Sequence, residues 1–311
     1  AQFANGHAAC YPDWIAVDWG TTNLRVWAMD AASRVLGNGG SAEGMGTLDR
    51  AGFEPALMRL IGGWLPAEGR VPVVACGMVG SRQGWVEAPY RPVPCVPLAK
   101  GQMARPDTRD TRLAVQVVPG LKQDRPADVM RGEETQIAGF LAGQPDFDGV
   151  LCLPGTHSKW VHISAGEVVS FQTFMTGEMF SLLSKQSVLR HGMAGEGWNP
   201  AAFTDAVSEA LSRPERLAAS LFTIRAEGLL HGLDGASAQA RLSGLLIGAE
   251  LAAARPYWLG QDIAIIGAET LGRTYAEALA LQGVAAERLD AGAMTLAGLT
   301  AAREGSREIV G

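Results

Sequence analysis

The sequence predicts an α/β protein made of two copies of one domain. Three observations carry that prediction. The first is Ile15 to Trp27, which reads I-A-V-D-W-G-T-T-N-L-R-V-W. Apolar residues lead into Asp18, a polar turn follows, and Leu24, Val26 and Ala28 then alternate with Arg25, Trp27 and Met29. That pattern is a buried strand, a tight turn and a second strand. The second observation is a partner for it. Gly155-Thr156-His157-Ser158-Lys159-Trp160-Val161 lines up with Gly20-Thr21-Thr22-Asn23-Leu24-Arg25-Val26 and also follows an apolar strand, Val150 to Leu153. The third is order: after each hairpin the chain reads as a third strand, helix, strand, more helix, strand and helix. A duplication of this kind places a cleft between the halves.

Composition bounds what such a protein can be. Its 311 residues suffice for two domains with sizeable cores. We expect a tail over 1–14, a first domain over 15–145, a second over 146–290, and a C-terminal helix over 291–311 returning towards the first. Hydrophobic residues make up 47% and charged residues 19%, a folded composition. The net charge of −6 argues against general binding to nucleic acid or anionic membranes. No apolar run is long enough to span a bilayer, and Ala1 to Cys10 lacks the pattern of a signal peptide. The four cysteines, Cys10, Cys76, Cys95 and Cys152, show no metal-site spacing. Cys76 and Cys152 read as buried free thiols in apolar strands, which fits a reducing cytoplasm. A homodimer is compatible with this composition.

Within the first copy, Arg34 to Ser41 continues the meander and Gly37 to Gly46 runs on as a loop. Phe53, Leu57, Leu60, Ile61 and Trp64 fall at helical spacing, predicting an amphipathic helix to Leu65. Val71 to Cys76 and Leu113 to Val118 read as strands, and the stretch from Asp128 to Ile137 as the opening of a helix. In the second copy the strands are Val150 to Leu153, Trp160 to Ile163 and Val168 to Phe174, then a helix from Thr176. A helical insert follows, with segments Ala202–Leu211, Pro214–Leu229 and Ser237–Arg255. The chain closes with strand Asp262 to Ile266, helix Leu271 to Leu281, strand Ala285 to Leu289 and helix Ala291 to Arg303.

The hairpin residues suit a phosphate and its metal. Gly20 admits close approach of an anion to backbone N–H groups, and Thr21 and Thr22 add donors. Asp18 supplies the hard oxygen Mg²⁺ prefers. The second hairpin has Pro154 and no acid at its strand end, so one Mg²⁺ between two donor loops fits the pair. The loop Gly77 to Tyr90 leaves a strand end, where open α/β sheets bind ligands. There Arg82 can clamp a carboxylate, Gln83 and Glu87 can bond hydroxyls, and Trp85 can stack on a ligand. The alternative is a surface loop meeting water. Glu133 and Glu134 fall in a first helical turn, where the dipole favours negative charge; either they cap the helix or one is a general base. His157 either donates to a phosphate or braces its turn. His162, His191 and His231 read as structural. Gly267, followed by Ala268, ends a strand where a planar ring can approach backbone, which makes the pair a candidate adenine site.

Several blocks resemble one family. I-A-V-D-W-G-T-T-N-L-R, G-M-V-G-S-R-Q-G-W-V-E-A-P-Y, D-V-M-R-G-E-E-T-Q-I, L-P-G-T-H-S-K-W-V and T-F-M-T-G-E-M-F are similar to the signature blocks of 2-dehydro-3-deoxygalactonokinases. That family lies within the sugar kinase, actin and Hsp70 superfamily. The resemblance runs from about Ile15 to Arg303. It implies two actin-like, ribonuclease H-like domains and ATP-dependent phosphorylation of 2-dehydro-3-deoxy-D-galactonate at its 6-hydroxyl. The product would feed an aldolase in galactonate catabolism. It further implies that Asp18 holds Mg²⁺ and that Gly20, Thr21 and Thr22 face the transferred group. Gly155, Thr156, His157, Ser158 and Lys159 would cradle the remaining phosphates. Asn23 would join the sugar-acid site, and Arg82 or Arg131 would pair with the substrate carboxylate. Gly132-Glu133-Glu134 is similar to the Gly-Asp-Gln of glycerol-kinase-like relatives, whose Asp is the base. Glu133 is the preferred counterpart, with Glu134 left open.

Other readings have their own signatures. A kinase of the same fold acting on another sugar acid or ketose differs only in its binding loop. An ATP-driven switch would carry interaction insertions. A repressor would need a DNA-binding segment before the first hairpin, and an acyl-CoA reductase activator would need clustered cysteines.

Overall fold

The computed structural model describes residues 11–307. The expected tail as far as Cys10, and the last four residues of the expected C-terminal segment, lie outside the described residues. The chain divides into two compact units. One comprises Ala1–Phe147, Ala165–Val168 and Ala291–Gly311; the other comprises Asp148–Ser164 and Val169–Asp290.

The first unit contains β1 (Trp14–Trp19), β2 (Leu24–Met29), β3 (Val35–Ser41), α1 (Phe53–Ile61), β4 (Val71–Cys76), β5 (Arg91–Pro92), β6 (Leu113–Val117), β7 (Leu121–Asp124), β8 (Ala127–Met130) and α2 (Glu133–Gly143). Its main sheet runs β3-β2-β1-β4-β6. β1 to β3 pair antiparallel, while β1, β4 and β6 pair parallel. Strand alternation decides which side chains meet which layer. Ile15, Val17 and Trp19 point to the face covered by Phe53 and Leu57 of α1. Trp14 and Ala16 point to the other, against Leu299 and Ala302. Burial on both faces explains why β1 reads as a continuous apolar run.

Two expectations shift. The helix predicted to reach Leu65 stops at Ile61, and Gly62–Trp64 forms a 3₁₀ turn; Gly62 and Gly63 are poor helix formers. Asp128 to Met130 is not a helix opening but part of β8, paired with β7. Together with β5 these make a second, three-stranded sheet. The helix begins at Glu133 because Gly132 adopts φ 110°, a conformation helices exclude.

The second unit contains β9 (Gly149–Leu153), β10 (Ser158–Ser164), β11 (Glu167–Phe174, from its third residue on), α3 (Thr176–Gln186), α4 (Pro200–Ser212), α5 (Leu217–His231), α6 (Gly235–Ala253), α7 (Arg255–Trp258), β12 (Ile263–Gly267), α8 (Glu269–Ala280) and β13 (Ala286–Asp290). Its sheet order, β11-β10-β9-β12-β13, repeats the main sheet of the first unit strand for strand. Ala165 (φ 51°) and Gly166 (φ 75°) make the tight turn between β10 and β11. Asn199 and Asp234 cap α4 and α6 through their side chains.

The last helix, α9 (Ala291–Arg307), packs along α2 in the first unit. Glycines set the spacing. A Cβ added at Gly298 would lie 1.8 Å from the Thr135 carbonyl oxygen, and one at Gly139 would lie 2.0 Å from that of Met294. Gly298→Ala must therefore push two helix backbones apart, and we expect a loss of about 2–3 kcal/mol. Gly143→Ala, whose Cβ meets nothing within 4 Å, is the control and should leave the thermal midpoint unchanged or raise it. Thermal melts of both variants check this.

Candidate active site

In the first unit the parallel pairing of β1 with β4 sets Asp18 opposite Cys76 at the C-terminal ends of two central strands. Asp18 is half-buried. Its Oδ2 accepts from Arg25 Nε at 3.2 Å and forms an ion pair with Arg25 Nη2. Cys76 Sγ lies 3.9 Å from Oδ1. Gly77 follows at φ 94°, and its Cα lies only 3.6 Å from the Cβ position of Gly132. That backbone contact brings the start of α2 to the strand ends.

Glu133 and Glu134 then separate by environment. Glu134 is fully buried. Its Oε2 accepts from the Gly132 amide at 2.7 Å, and Thr135 Oγ1 lies 3.4 Å from its Oε1. Burial, with the charge of Glu133 added, pushes its pKa up to about 8. Glu133 stays partly exposed, its Oε2 accepting from the Arg131 amide at 3.1 Å. Cys76 feels the same neighbourhood: burial raises its thiol pKa, and the charges of Asp18 and Glu134 raise it further.

The first hairpin presents Thr21, Thr22 and Asn23 to solvent. Its tip closes with Gly20 N donating to Asn23 O at 3.0 Å. The segment after β3 supports it: Met45 N donates to Gly20 O and Gly46 N to Thr21 O, both at 2.9 Å. A Cβ on Gly44 would stand 2.3 Å from the Thr21 carbonyl oxygen, so only glycine permits this backing. Asp18, Gly20, Thr22, Asn23, Arg25 and Ser41 face one open hollow of about 590 Å³.

The loop over residues 77–90 is folded rather than open. Five backbone hydrogen bonds within it, among them Trp85 N to Val79 O and Ala88 N to Gly80 O, close it on itself. Arg82, Gln83 and Glu87 point outward. Trp85 does not offer an open face: it is 7% exposed and stacks on Phe53 with centroids 6.3 Å apart. Its apolar area goes into the core, with one edge beside Glu87 in a hollow of about 1090 Å³. Arg131 lies over the Tyr90 ring, 4.3 Å from its centroid, and donates from Nη2 to Ala88 O at 2.8 Å. Its Nε and Nη1 are buried without a hydrogen-bond partner among the described residues.

The second unit repeats the backed hairpin. Glu178 N donates to Thr156 O at 2.9 Å, and a Cβ on Gly177 would stand 2.2 Å from Gly155 O. Gly44 follows the end of β3 by three residues, and Gly177 follows the end of β11 by three. That shared spacing is a signal sequence reading had available and did not use. His157 Nε2 meets Glu178 Oε2 at 2.6 Å, so the histidine braces the tip. Ser158 and Lys159 are 0% and 4% exposed. Their side chains point into the fold, which removes them from the set expected to touch phosphate and leaves Gly155, Thr156 and His157 at the surface of the tip.

Beneath that hairpin lies a buried polar cluster that sequence reading missed. Glu250 Oε1 accepts from Trp160 Nε1 at 2.8 Å, and Oε2 accepts from Tyr275 OH at 2.8 Å and from Thr176 Oγ1. Tyr275 OH also meets Ser158 Oγ at 2.8 Å. Burial raises the Glu250 pKa while these donors pull it down. Gly155, Thr176, Gly177, Leu246, Leu271 and Tyr275 line an adjoining apolar pocket of about 140 Å³. The candidate adenine pair, Gly267 and Ala268, does not line that pocket, though the Cβ position of Gly267 lies 3.8 Å from Cα of Gly272, next to the pocket-lining Leu271. The ring approaching Gly267 is that of Pro154, whose Cγ is 3.1 Å from the Cβ position, and Ala268 is exposed.

Among the described residues no group of three or more His, Cys, Asp or Glu is placed to hold a metal ion. Asp18 alone still fits Mg²⁺, which usually takes one or two carboxylates and completes its shell with phosphate oxygens and water. No helix of the described residues is long and apolar enough to cross a membrane.

Two units with the same five-stranded order, each opening on a backed hairpin, define an actin-like fold. The 2-keto-3-deoxy-galactonokinase family model matches residues 18–302. "Probable 2-dehydro-3-deoxygalactonokinase DgoK1" of Rhizobium meliloti (strain 1021) is 41% identical over 298 residues, covering 93% of this chain and 96% of that protein. The 2-dehydro-3-deoxygalactonokinase of Escherichia coli (strain K12) is 35% identical over 273 residues, covering 87% and 90%. A crystal structure of a Sinorhizobium meliloti protein assigned to the same activity superposes with a TM-score of 0.87 at 40% identity, covering 94% of this chain and 98% of that one. The chain belongs to the 2-keto-3-deoxy-galactonokinase family and is a phosphotransferase.

Proposed function

We propose that this chain transfers the γ-phosphoryl group of ATP to the 6-hydroxyl of 2-dehydro-3-deoxy-D-galactonate, giving the 6-phospho product and ADP. The observation that carries the reading is the junction in the first unit, within a chain matched by the family over residues 18–302. There a strand-end carboxylate, a donor-rich hairpin and an acidic helix start meet at the C-terminal ends of β1 and β4. Phosphoryl transfer passes through a loose transition state, so placement and charge neutralisation do most of the work. Asp18 would hold Mg²⁺, which neutralises charge on the transferring oxygens when bound. Arg25 keeps the second oxygen of Asp18 oriented. Glu133 is the base: it is the exposed member of the pair and accepts the hydroxyl proton. Glu134, buried and largely protonated at neutral pH, fixes the Gly132 amide. Arg131 offers Nε and Nη1 to the substrate carboxylate, and Arg82, Gln83, Glu87 and Asn23 supply exposed polar groups for its hydroxyls. In the second unit Gly155, Thr156 and His157 take the remaining ATP phosphates, and the apolar pocket beside Gly155 takes the base. Consumption of ATP and the free thiols of Cys76, Cys95 and Cys152 suit the cytoplasm.

The test is ADP release from Mg²⁺-ATP on adding 2-dehydro-3-deoxy-D-galactonate, with the gluconate epimer in parallel and the product's phosphate position read by NMR. Turnover with the galactonate form and phosphate on C6 is the expected result. Equal turnover with both epimers would widen the substrate, and no turnover with either would overturn the reading.

A further inference from the structure

 Glu250 lies on α6, outside both hairpins. Its carboxylate gathers groups from three elements. Trp160 comes from β10, directly after the hairpin tip, Thr176 opens α3, and Tyr275 belongs to α8. Each link bears on the nucleotide side of the unit. α3 carries Gly177 and Glu178, which back the tip of the hairpin. Tyr275 and Thr176 line the apolar pocket, and Tyr275 passes the contact on to Ser158 at the start of β10. The carboxylate is 3% exposed. A buried charge of this kind is costly unless donors converge on it, and here three donors do.

We infer that Glu250 is a positioning residue for nucleotide, fixing the Gly155–His157 tip and the pocket wall as one rigid unit. This rests on the reading that the second hairpin and its pocket take ATP. Glu250 does not touch the nucleotide; it acts through Thr176, Tyr275 and Trp160.

The experiment compares Thr176→Val and Tyr275→Phe, which each cut one link and keep shape, with Glu250→Gln and Glu250→Ala. Readouts are the Kd for Mg²⁺-ATP by calorimetry, KM for ATP, KM for the sugar acid, and the thermal midpoint. Thr176→Val and Tyr275→Phe should each weaken ATP about tenfold, the scale of one lost hydrogen bond to a charged group. KM for the sugar acid should move less than about twofold, because that substrate is assigned to the other unit. Glu250→Gln, which still accepts from Trp160, should recover most of the affinity that Glu250→Ala loses. Folded variants with unchanged Kd for ATP, or with both KM values raised equally, would overturn the inference alone. A wild-type protein that binds no ATP would overturn the nucleotide reading and this inference with it.

Discussion

Glu133→Gln is expected to lower kcat for phosphoryl transfer about 10²- to 10⁴-fold, the usual contribution of a positioned general base. KM for ATP and for the sugar acid should change little, because the amide keeps the size of the side chain and an acceptor for the Arg131 amide. Glu134→Gln should stay within a few-fold of wild type. Its carboxyl is sealed from solvent and spends its oxygens on the Gly132 amide and the Thr135 hydroxyl, so it has no route to a substrate hydroxyl. Steady-state rates of ADP release for the two variants decide the matter. Loss of turnover in Glu134→Gln with retention in Glu133→Gln would reverse the assignment.

The second large effect concerns pH and stability. Folding raises the Glu134 pKa from an ordinary 4.5 to about 8, through burial first and the charge of Glu133 second. The native state therefore binds this proton more tightly than the unfolded chain does. Stability from this group is greatest below pH 4.5 and falls as the pH climbs from there towards 8, because the unfolded chain ionises freely while the native site resists. Glu134→Gln removes the titration and keeps an acceptor for Gly132. We expect the variant to be more stable than wild type at pH 8 by on the order of 4 kcal/mol, given about 1.4 kcal/mol per pKa unit. The gain should shrink towards zero near pH 5. Urea melts of both proteins at pH 5, 6.5 and 8 test this. A difference independent of pH would show that Glu134 does not titrate in this window.

Much of the architecture was legible because local chemistry dictated it. The apolar run Ile15–Val17 ending in Asp18, the polar Gly-Thr turns and the alternation after each one fix hairpins without help from distant residues. The same holds for Val71–Cys76 and for the helix over Phe53–Ile61, whose stripe follows the helical period. Short strands of mixed polarity did not declare themselves. Leu121–Asp124 and Ala127–Met130 become strands because they pair with each other and the first of them also with Arg91–Pro92, and pairing is not a property of a four-residue window.

The site divides in the same way. Sequence alone singled out Asp18, the two hairpin tips, the glutamate pair and Arg131, because glycines, hydroxyls and carboxylates cluster there in short motifs. It preferred Glu133 to Glu134 only through a resemblance, since adjacent residues of one type differ only in what surrounds them. Glu134 is buried and Glu133 only half-buried, which supports the proposed preference. It also misjudged Trp85, Ser158 and Lys159, whose side chains turn inward. Glu250, Thr176 and Tyr275 meet at one point although they are far apart in sequence. What the sequence determined by itself was the set of elements and the chemistry offered at their ends. The tertiary structure decided which of those groups keep access to solvent and which are spent holding the others, because desolvation and hydrogen-bond partners arise only when distant segments pack.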